Sequence, residues 1–185
     1  MAATHPHPFR LSRMSVLASC LLAALTGFST AHAGDGTVRD KAVLEPGAAT
    51  FADRHGVERF GNAAIEVAWK LDGTRLVDMT VTDRAHDRTF AVPAPFALLL
   101  ADGSTIKASD MKLLSPPRAR PLPVDAKASR LAMRQPGKAV EASFGDANGR
   151  FRVDWKLVQR DGSPYLREVV SIAALKQDEK IAKVS

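Results

Sequence analysis

Apolar and polar residues alternate with a period of two along several stretches of the chain, and this alternation limits the folds that the chain can adopt. In the stretch 65–71 apolar side chains occupy every second position, and Asp72-Gly73 then precedes a second alternating stretch, 76–82. Successive side chains of a β-strand point to opposite faces, so this period is typical of strands with one buried face. Asp-Gly between two such stretches predicts a β-hairpin, because glycine adopts the positive φ of a tight turn.

A second hairpin of the same kind is predicted near the C-terminus. The stretch 151–157 alternates in the same way, Asp161-Gly162 provides the turn, and 165–173 returns. Both hairpins contain the tripeptide Trp-Lys-Leu, the first at 69–71 and the second within 151–157. We expect two similar long hairpins in one sheet system, and we find no further copies that would indicate a repeat protein.

Shorter stretches with strand character fill most of the remaining chain, and no long stretch has the 3.6-residue period of a helix. Strands are predicted at 96–100, 104–108, 130–134 and 139–144, one or two more within 51–60, and the start of another at 180–185; a single helical turn is predicted at 110–114. Strands that recur at such intervals with turns between them predict an all-β fold, either a sandwich or a barrel.

Residues 115–125, Ser-Pro-Pro-Arg-Ala-Arg-Pro-Leu-Pro-Val-Asp, interrupt this regular pattern. Four prolines exclude a central strand, because proline lacks the N–H that a strand ladder needs, and they favour an extended, exposed connection. We interpret this stretch as a crossing between two packed sheets within one domain, residues 34–185. A linker between two independent domains is the alternative, although each half would be small for a domain without disulfides.

The first 33 residues have the three-part organisation of a cleavable signal peptide. Arg10 and Arg13 precede an apolar stretch, 14–28, which is too short and too interrupted to span a bilayer. The small-x-small pattern that ends at Ala33 predicts cleavage after that residue. We therefore expect an exported protein, periplasmic or extracellular, with no membrane span after cleavage. An uncleaved anchor is one alternative, and lipoprotein processing at Cys20 is another.

Charge and cysteine content exclude several classes of protein. Cys20 is the only cysteine, so the mature chain would have no disulfide and no thiolate, and its core must hold the fold. The chain has 26 Lys and Arg against 20 Asp and Glu, without any block of like charge. This mild, interspersed excess predicts no binding to nucleic acid.

The sequence contains no recognisable constellation for catalysis, metal binding or cofactor binding. His55 and His86 are isolated, and neither a nucleophile elbow nor a phosphate-binding glycine loop is present, so we predict no metal and no cofactor. The acidic residues are interpreted as structural or solvated. Turn positions are predicted for Asp72, Asp102 and Asp161, which would cap local backbone, and outward strand positions for Glu66, Glu141, Asp154 and Glu168.

Few aromatic residues are available as stacking platforms for sugar rings. Trp69 and Trp155 alternate in phase with aliphatic neighbours, which predicts that both belong to the core. Tyr165 follows Pro164 just after a turn. We predict a contact surface formed by Tyr165 together with Arg118 and Arg120 of the proline-rich stretch, since binding residues concentrate on loops.

Three stretches of the chain carry a family resemblance. Arg-Asp-Gly-Ser-Pro-Tyr-Leu-Arg-Glu at 160–168, followed by an alternating strand, resembles the final hairpin of the N-terminal β-domain in secreted α-galactosidase-like glycoside hydrolases. Some bacterial relatives of those enzymes carry the label "enterotoxin". Gly61-Asn62-Ala63 leading into 69–71, and the stretch 96–103, fit the same comparison. The resemblance covers residues 57–185 and implies an all-β fold, a large antiparallel β-sandwich of the supersandwich kind, which in the family precedes a catalytic (β/α) barrel.

The chain departs from that family in one respect that decides its expected activity. The family's catalytic carboxylates belong to the downstream barrel, whereas this sequence stops at Ser185. We therefore expect a non-catalytic, carbohydrate-associated module, either a truncated N-terminal piece of a larger enzyme or a stand-alone derivative. An envelope structural or protein-interaction domain is the alternative, and a hydrolase that uses scattered carboxylates is the least favoured hypothesis.

Overall fold

The computed structural model describes residues 44–176 and 181–185, and this part of the chain is an all-β protein with three antiparallel sheets and no α-helix. The predicted signal peptide, with Cys20 and the cleavage site after Ala33, lies outside the described residues. The strands are β1 (Thr50–Arg54), β2 (Val57–Gly61), β3 (Ile65–Asp72), β4 (Arg75–Asp83), β5 (Arg88–Ala91), β6 (Ala97–Leu100), β7 (Thr105–Lys107), β8 (Lys112–Leu122), β9 (Gly137–Gly145), β10 (Phe151–Arg160), β11 (Arg167–Ala174) and β12 (Ile181–Val184).

The N-terminal half forms a five-stranded sheet in which the strands follow one another in chain order, β1-β2-β3-β4-β5. The β1–β2 turn contains His55 and Gly56, both with positive φ, and the β3–β4 turn contains Gly73 with φ of 57°. The predicted Asp72-Gly73 hairpin is therefore confirmed, and the early stretch 51–60 forms two strands.

The C-terminal half forms a four-stranded sheet in the order β11-β10-β9-β8. A three-stranded sheet, β12-β6-β7, completes the architecture, so the last strand of the chain pairs with the middle of it. Ala97 and Ser185 exchange two backbone hydrogen bonds, of 2.7 and 3.1 Å, at the end of this pairing. The strand that the sequence predicts near the C-terminus is thus confirmed as β12.

The three sheets share one core, which is centred on aromatic side chains. The Trp69 and Trp155 rings meet edge to face, with centroids 6.0 Å apart, and Phe144 makes further edge contacts with Trp155 and with Phe96. Trp69 and Trp155 are 0% and 1% exposed, which confirms the prediction that both belong to the core. The two long hairpins lie in different sheets and contribute facing layers of a β-sandwich.

The proline-rich stretch differs from the prediction, because residues 115–122 belong to strand β8 and do not form an irregular connection. Strand β8 is an edge of the four-stranded sheet, where proline is tolerated because one side of the strand has no ladder to complete. The pairing of β8 with β9 shifts register on either side of Ser115, and the second shift spans Pro116-Pro117. At each shift β8 has one more residue than β9, as in a β-bulge. Only residues 123–125 of the predicted connection lie outside the strand.

A second local prediction is wrong at residues 130–134. Leu131–Arg134 forms a short 3-10 turn, and two residues separate it from β9, which begins at Gly137. The backbone N–H of Asp125 donates to the Met133 carbonyl at 3.0 Å, so this stretch pairs within its own loop and adds no strand to a sheet.

The first described residues are tied to the second hairpin by specific hydrogen bonds. The Asp161 carboxylate accepts the Ala49 N–H at 2.8 Å, and Lys138 Nζ donates to the Ala49 carbonyl at 2.6 Å. Asp161 was expected to cap its own turn, and instead it holds a segment that lies 112 residues earlier in the chain. These contacts connect the start of the described chain to the four-stranded sheet.

Candidate functional site

The candidate site is a shallow groove of about 380 Å³ that is open to solvent on the outer face of the four-stranded sheet. Strands β8 to β11 all contribute side chains to it. The lining residues are Ser115, Arg118, Arg120, Glu141, Ala142, Ser143, Arg152, Asp154, Trp155, Lys156, Val169 and Ser171. Side chains that alternate with the buried core residues of each strand form the floor, so the same period that builds the core also builds the groove.

Strand register arranges the floor of the groove in two rows that run across the sheet. In the first row Arg118 lies opposite Glu141, and Lys156 is the partner of Glu141 on the other side. In the second row Ser115, Ser143, Asp154 and Ser171 face one another across four strands. One row is therefore ionic, and the other combines three hydroxyls with one carboxylate.

Both carboxylates of the groove are held in ion pairs. Glu141 accepts from Lys156 Nζ at 2.7 Å through one oxygen and lies 3.3 Å from Arg120 Nε through the other. Asp154 accepts from the Ser143 hydroxyl at 2.6 Å and from Arg152 Nε at 3.0 Å. Four cationic side chains surround these two carboxylates, which leaves the groove with an excess of positive charge.

The predicted contact residues are only partly brought together. Arg118 and Arg120 both line the groove, but Tyr165 is not among the lining residues. Tyr165 is exposed in the connection between β10 and β11, where its backbone N–H bonds the Ser163 hydroxyl at 3.3 Å. The two arginines therefore line the groove together, and Tyr165 does not join them there.

One acidic residue that was expected on an outer face points into the protein. Glu168 on β11 accepts the indole N–H of Trp155 at 2.5 Å, and Glu58 on β2 accepts that of Trp69 at the same distance. Burial raises the pKa of Glu168 above its usual range, and the bond from Trp155 only partly opposes this. Burial likewise raises the pKa of Glu58, against the bond from Trp69. Glu66, Glu141 and Asp154 lie on outer faces, as predicted.

The two described histidines, His55 and His86, lie in exposed turns on the five-stranded sheet. The His86 ring bonds Asp83 at 2.7 Å, and this hydrogen bond holds the pKa of the Asp83 carboxyl below its usual range. Within residues 44–176 and 181–185 no group of three or more histidine, cysteine or acidic side chains is arranged to hold a metal ion. The same part of the chain has no helix long and apolar enough to cross a membrane.

Sequence reasoning missed most of the groove, namely Ser115, Glu141, Ser143, Arg152, Asp154, Lys156 and Ser171. The alternation along β10 indicates that Arg152, Asp154 and Lys156 point away from the core. Their grouping with β8 and β9 depends on strand register, which the sequence alone does not specify here. The signal that could have found them is the combination of these alternating charges with the two arginines of the proline-rich strand.

Comparison with protein-family models, with curated proteins and with solved structures finds no match to this chain. The resemblance to the N-terminal domain of α-galactosidase-like enzymes therefore stays a prediction from the sequence. What the fold itself defines is the class, an antiparallel β-sandwich with an open polar groove on one sheet.

Proposed function

We propose that the chain is an exported, non-catalytic β-sandwich module that binds carbohydrate in the groove on its four-stranded sheet. The groove is the observation that carries this proposal. It presents guanidinium, ammonium, carboxylate and hydroxyl groups side by side on a regular sheet, and these groups hydrogen-bond well to the hydroxyls of a sugar chain. The resemblance to a glycoside-hydrolase β-domain points to the same class of ligand.

The pairing of the two groove carboxylates favours binding over hydrolysis. Glycosidases of the usual kind need one carboxyl group that carries a proton for the leaving oxygen. Glu141 is paired with Lys156 and Arg120, and Asp154 is paired with Arg152. Both carboxylates are therefore engaged by side chains of the groove itself, an arrangement that fits a binding surface better than a hydrolytic pair.

Binding to a panel of neutral and acidic polysaccharides tests the proposal. We expect saturable binding to at least one of them, weakened at least about tenfold when Arg120 and Arg152 are both replaced by alanine. The matched control removes the same charge from Arg75 and Arg88, which are exposed on the five-stranded sheet. Absence of binding across the panel, or equal loss in the control, would contradict the proposal.

The export part of the proposal has its own test at the N-terminus. Mass spectrometry of the protein recovered from the periplasm or the medium should find Gly34 as the first residue, because the signal peptide ends at Ala33. A lipid-modified N-terminus at Cys20 would support the lipoprotein alternative instead. Recovery of the uncleaved chain from the cytoplasm would contradict export.

A second candidate function, binding of an acidic protein partner in the envelope, is favoured by the loop 123–135. Arg160 closes the base of this loop by donating to the carbonyls of Pro123 and Gln135 at 3.0 and 2.8 Å. The loop displays exposed apolar side chains, of which Leu131 is 71% exposed, beside basic ones. The apolar set is Val124, Leu131 and Met133, and the basic set is Lys127, Arg130 and Arg134. Ordered apolar surface of this kind is typical of contact sites.

Photocrosslinking from single positions distinguishes this candidate. A crosslinking residue at Leu131 should give one discrete adduct with an acidic envelope protein, and the adduct should disappear when Arg130 and Arg134 become glutamate. Phe90, a half-exposed apolar residue on the five-stranded sheet, provides the matched control position. No adduct at Leu131, or the same adduct at Phe90, would count against a protein-binding loop.

A further inference from the structure

Arg118 is the one cation of the groove that has no hydrogen-bond or ion-pair partner among the described residues. Its register partner across the strands is Glu141. Both oxygens of Glu141 are already engaged, one by Lys156 and the other by Arg120. The guanidinium of Arg118 therefore faces the groove with its donors unused and accounts for much of the excess positive charge there.

The position of Arg118 follows from the bulged edge strand. Ser115 pairs with Ser143, and Arg118 pairs with Glu141, so three steps along β8 match two steps along β9. The extra residue falls across Pro116-Pro117 and returns Arg118 to the same face as Ser115, although an uninterrupted strand would place them on opposite faces. Bulges often re-aim a side chain next to a functional site.

Two serine hydroxyls of the groove, like the Arg118 guanidinium, are available to bond a ligand. The second row of the groove contains Ser115 and Ser171, and neither hydroxyl has a hydrogen-bond partner within the described part of the chain. The middle of the row is occupied, because the Ser143 hydroxyl donates to Asp154. The groove thus offers one free guanidinium and two free hydroxyls to a ligand.

We infer that Arg118 is a subsite for a carboxylate, and that the groove binds an acidic polysaccharide in preference to a neutral one. The inference rests on the proposed carbohydrate-binding function and adds the class of sugar. A guanidinium presents paired N–H donors in a plane that matches the two oxygens of a carboxylate, which a neutral sugar does not provide. The hydroxyls of Ser115 and Ser171 then hydrogen-bond to hydroxyls of the sugar chain.

Two matched pairs of polymers test this inference, namely polygalacturonate and alginate, each with its carboxyl-reduced neutral form. Affinities are measured by calorimetry at low and at high salt. We expect each acidic polymer to bind at least about tenfold more tightly than its reduced form, with a preference that shrinks as salt rises. Arg118→Ala should remove most of this preference, because the acidic polymers lose much more affinity than the reduced ones.

Further variants separate the geometry of Arg118 from its charge. Arg118→Lys keeps the charge but loses the planar fork, so it should restore only part of the preference. Arg75→Ala removes one charge from the other sheet and should leave the preference intact. Far-ultraviolet circular dichroism and the urea midpoint establish that each variant is folded.

The failure of this inference differs from the failure of the proposed function. Equal binding of the acidic and reduced polymers, binding of neutral polysaccharides alone, or an unchanged preference in Arg118→Ala would overturn the inference and leave carbohydrate binding in place. Absence of binding to both pairs and to the wider panel would overturn both proposals together.

Discussion

The two hairpins that share Trp-Lys-Leu have the same role in the core and different roles at the surface. In each, the tryptophan is buried and its indole N–H bonds a glutamate on the neighbouring strand. Lys70, however, pairs with Asp78 within its own hairpin, whereas Lys156 pairs with Glu141 from another strand and lines the groove. The same tripeptide therefore specifies a strand and its buried face, and the neighbouring strands determine what the outer face can do.

The hairpins also differ in regularity. The pairing of β3 with β4 shifts register opposite Trp69, where Asp78 adopts a positive φ of 52°. The pairing of β10 with β11 runs without a shift from Phe151 to Val158. A regular ladder keeps the outward side chains of β10 in continuous rows with β9 and β11, which is the arrangement that the groove requires.

The largest effects should come from the two tryptophans, and they should be similar for the two hairpins. Trp69→Ala and Trp155→Ala each remove a fully buried ring from the shared core, which costs about 3–5 kcal/mol of stability. Urea unfolding followed by circular dichroism measures this cost. Tyr165→Ala is the matched exposed control, with a change within about 0.5 kcal/mol. If either variant lost less than about 1 kcal/mol of unfolding free energy, the two hairpins would not contribute equally to the core.

Replacement of Glu168 tests the partly buried acceptor of the Trp155 indole N–H. Glu168→Ala leaves the indole N–H without a partner and should cost about 1–3 kcal/mol. Glu168→Gln retains an oxygen acceptor and removes the charge, so it should be far better tolerated at neutral pH. If alanine and glutamine variants were equally stable, the bond to Trp155 would contribute nothing measurable.

The raised pKa of Glu168 gives this comparison a pH dependence with a definite sign. Because the folded state holds the proton more tightly than the unfolded state, stability falls as pH rises from the usual glutamate pKa through the raised one. We therefore expect Glu168→Gln to gain stability relative to the wild type at neutral pH and to lose that gain in acid. Urea midpoints measured across this range test the sign, and an opposite trend would contradict the assigned burial.

A smaller effect should distinguish the bulge of the first hairpin from the regular second one. Asp78→Val places a β-branched side chain at a positive φ and should cost about 1–2 kcal/mol. Ser171→Val, in the regular pairing of β10 with β11, should change stability by less than about 0.5 kcal/mol. Similar thermal midpoints for the two variants would mean that the register shift carries no strain.

The smallest effect on stability should accompany the clearest difference in binding. Lys70→Ala and Lys156→Ala each remove one solvent-accessible ion pair, so each should change stability by less than about 1 kcal/mol. Only Lys156→Ala is expected to weaken polysaccharide binding, because only Lys156 lines the groove. A loss of binding in Lys70→Ala would place the ligand on the other sheet.

Most of the fold was accessible from the sequence because burial repeats with a simple period. Alternation and Asp-Gly turns identified both long hairpins, the core tryptophans and the all-β class. The proline-rich strand was missed because proline content excludes central strands and says little about edge strands with register shifts. Glu168 was assigned to the wrong face because the sequence of β11 alone does not show which of its residues face the core. The register with β10, in which Glu168 pairs with Leu157, shows this.

The candidate site was less accessible, because it depends on register between strands that are distant in sequence. Arg118 and Arg120 were predicted from exposure alone, and the structure adds Lys156 and Arg152 from a strand more than 30 residues later. No local pattern connects these strands. Tyr165 was grouped with the arginines on the basis of loop exposure, and it is exposed but does not line the groove.

Nuclear magnetic resonance can show whether the outer face of the four-stranded sheet is the binding surface. Amide shifts of the labelled protein are followed during titration with short oligogalacturonates. We expect shifts concentrated at Ser115, Arg118, Ser143 and Asp154, with little change on the five-stranded sheet. Shifts clustered around Tyr165 or on strands β1 to β5, or no shifts at saturating ligand, would contradict it.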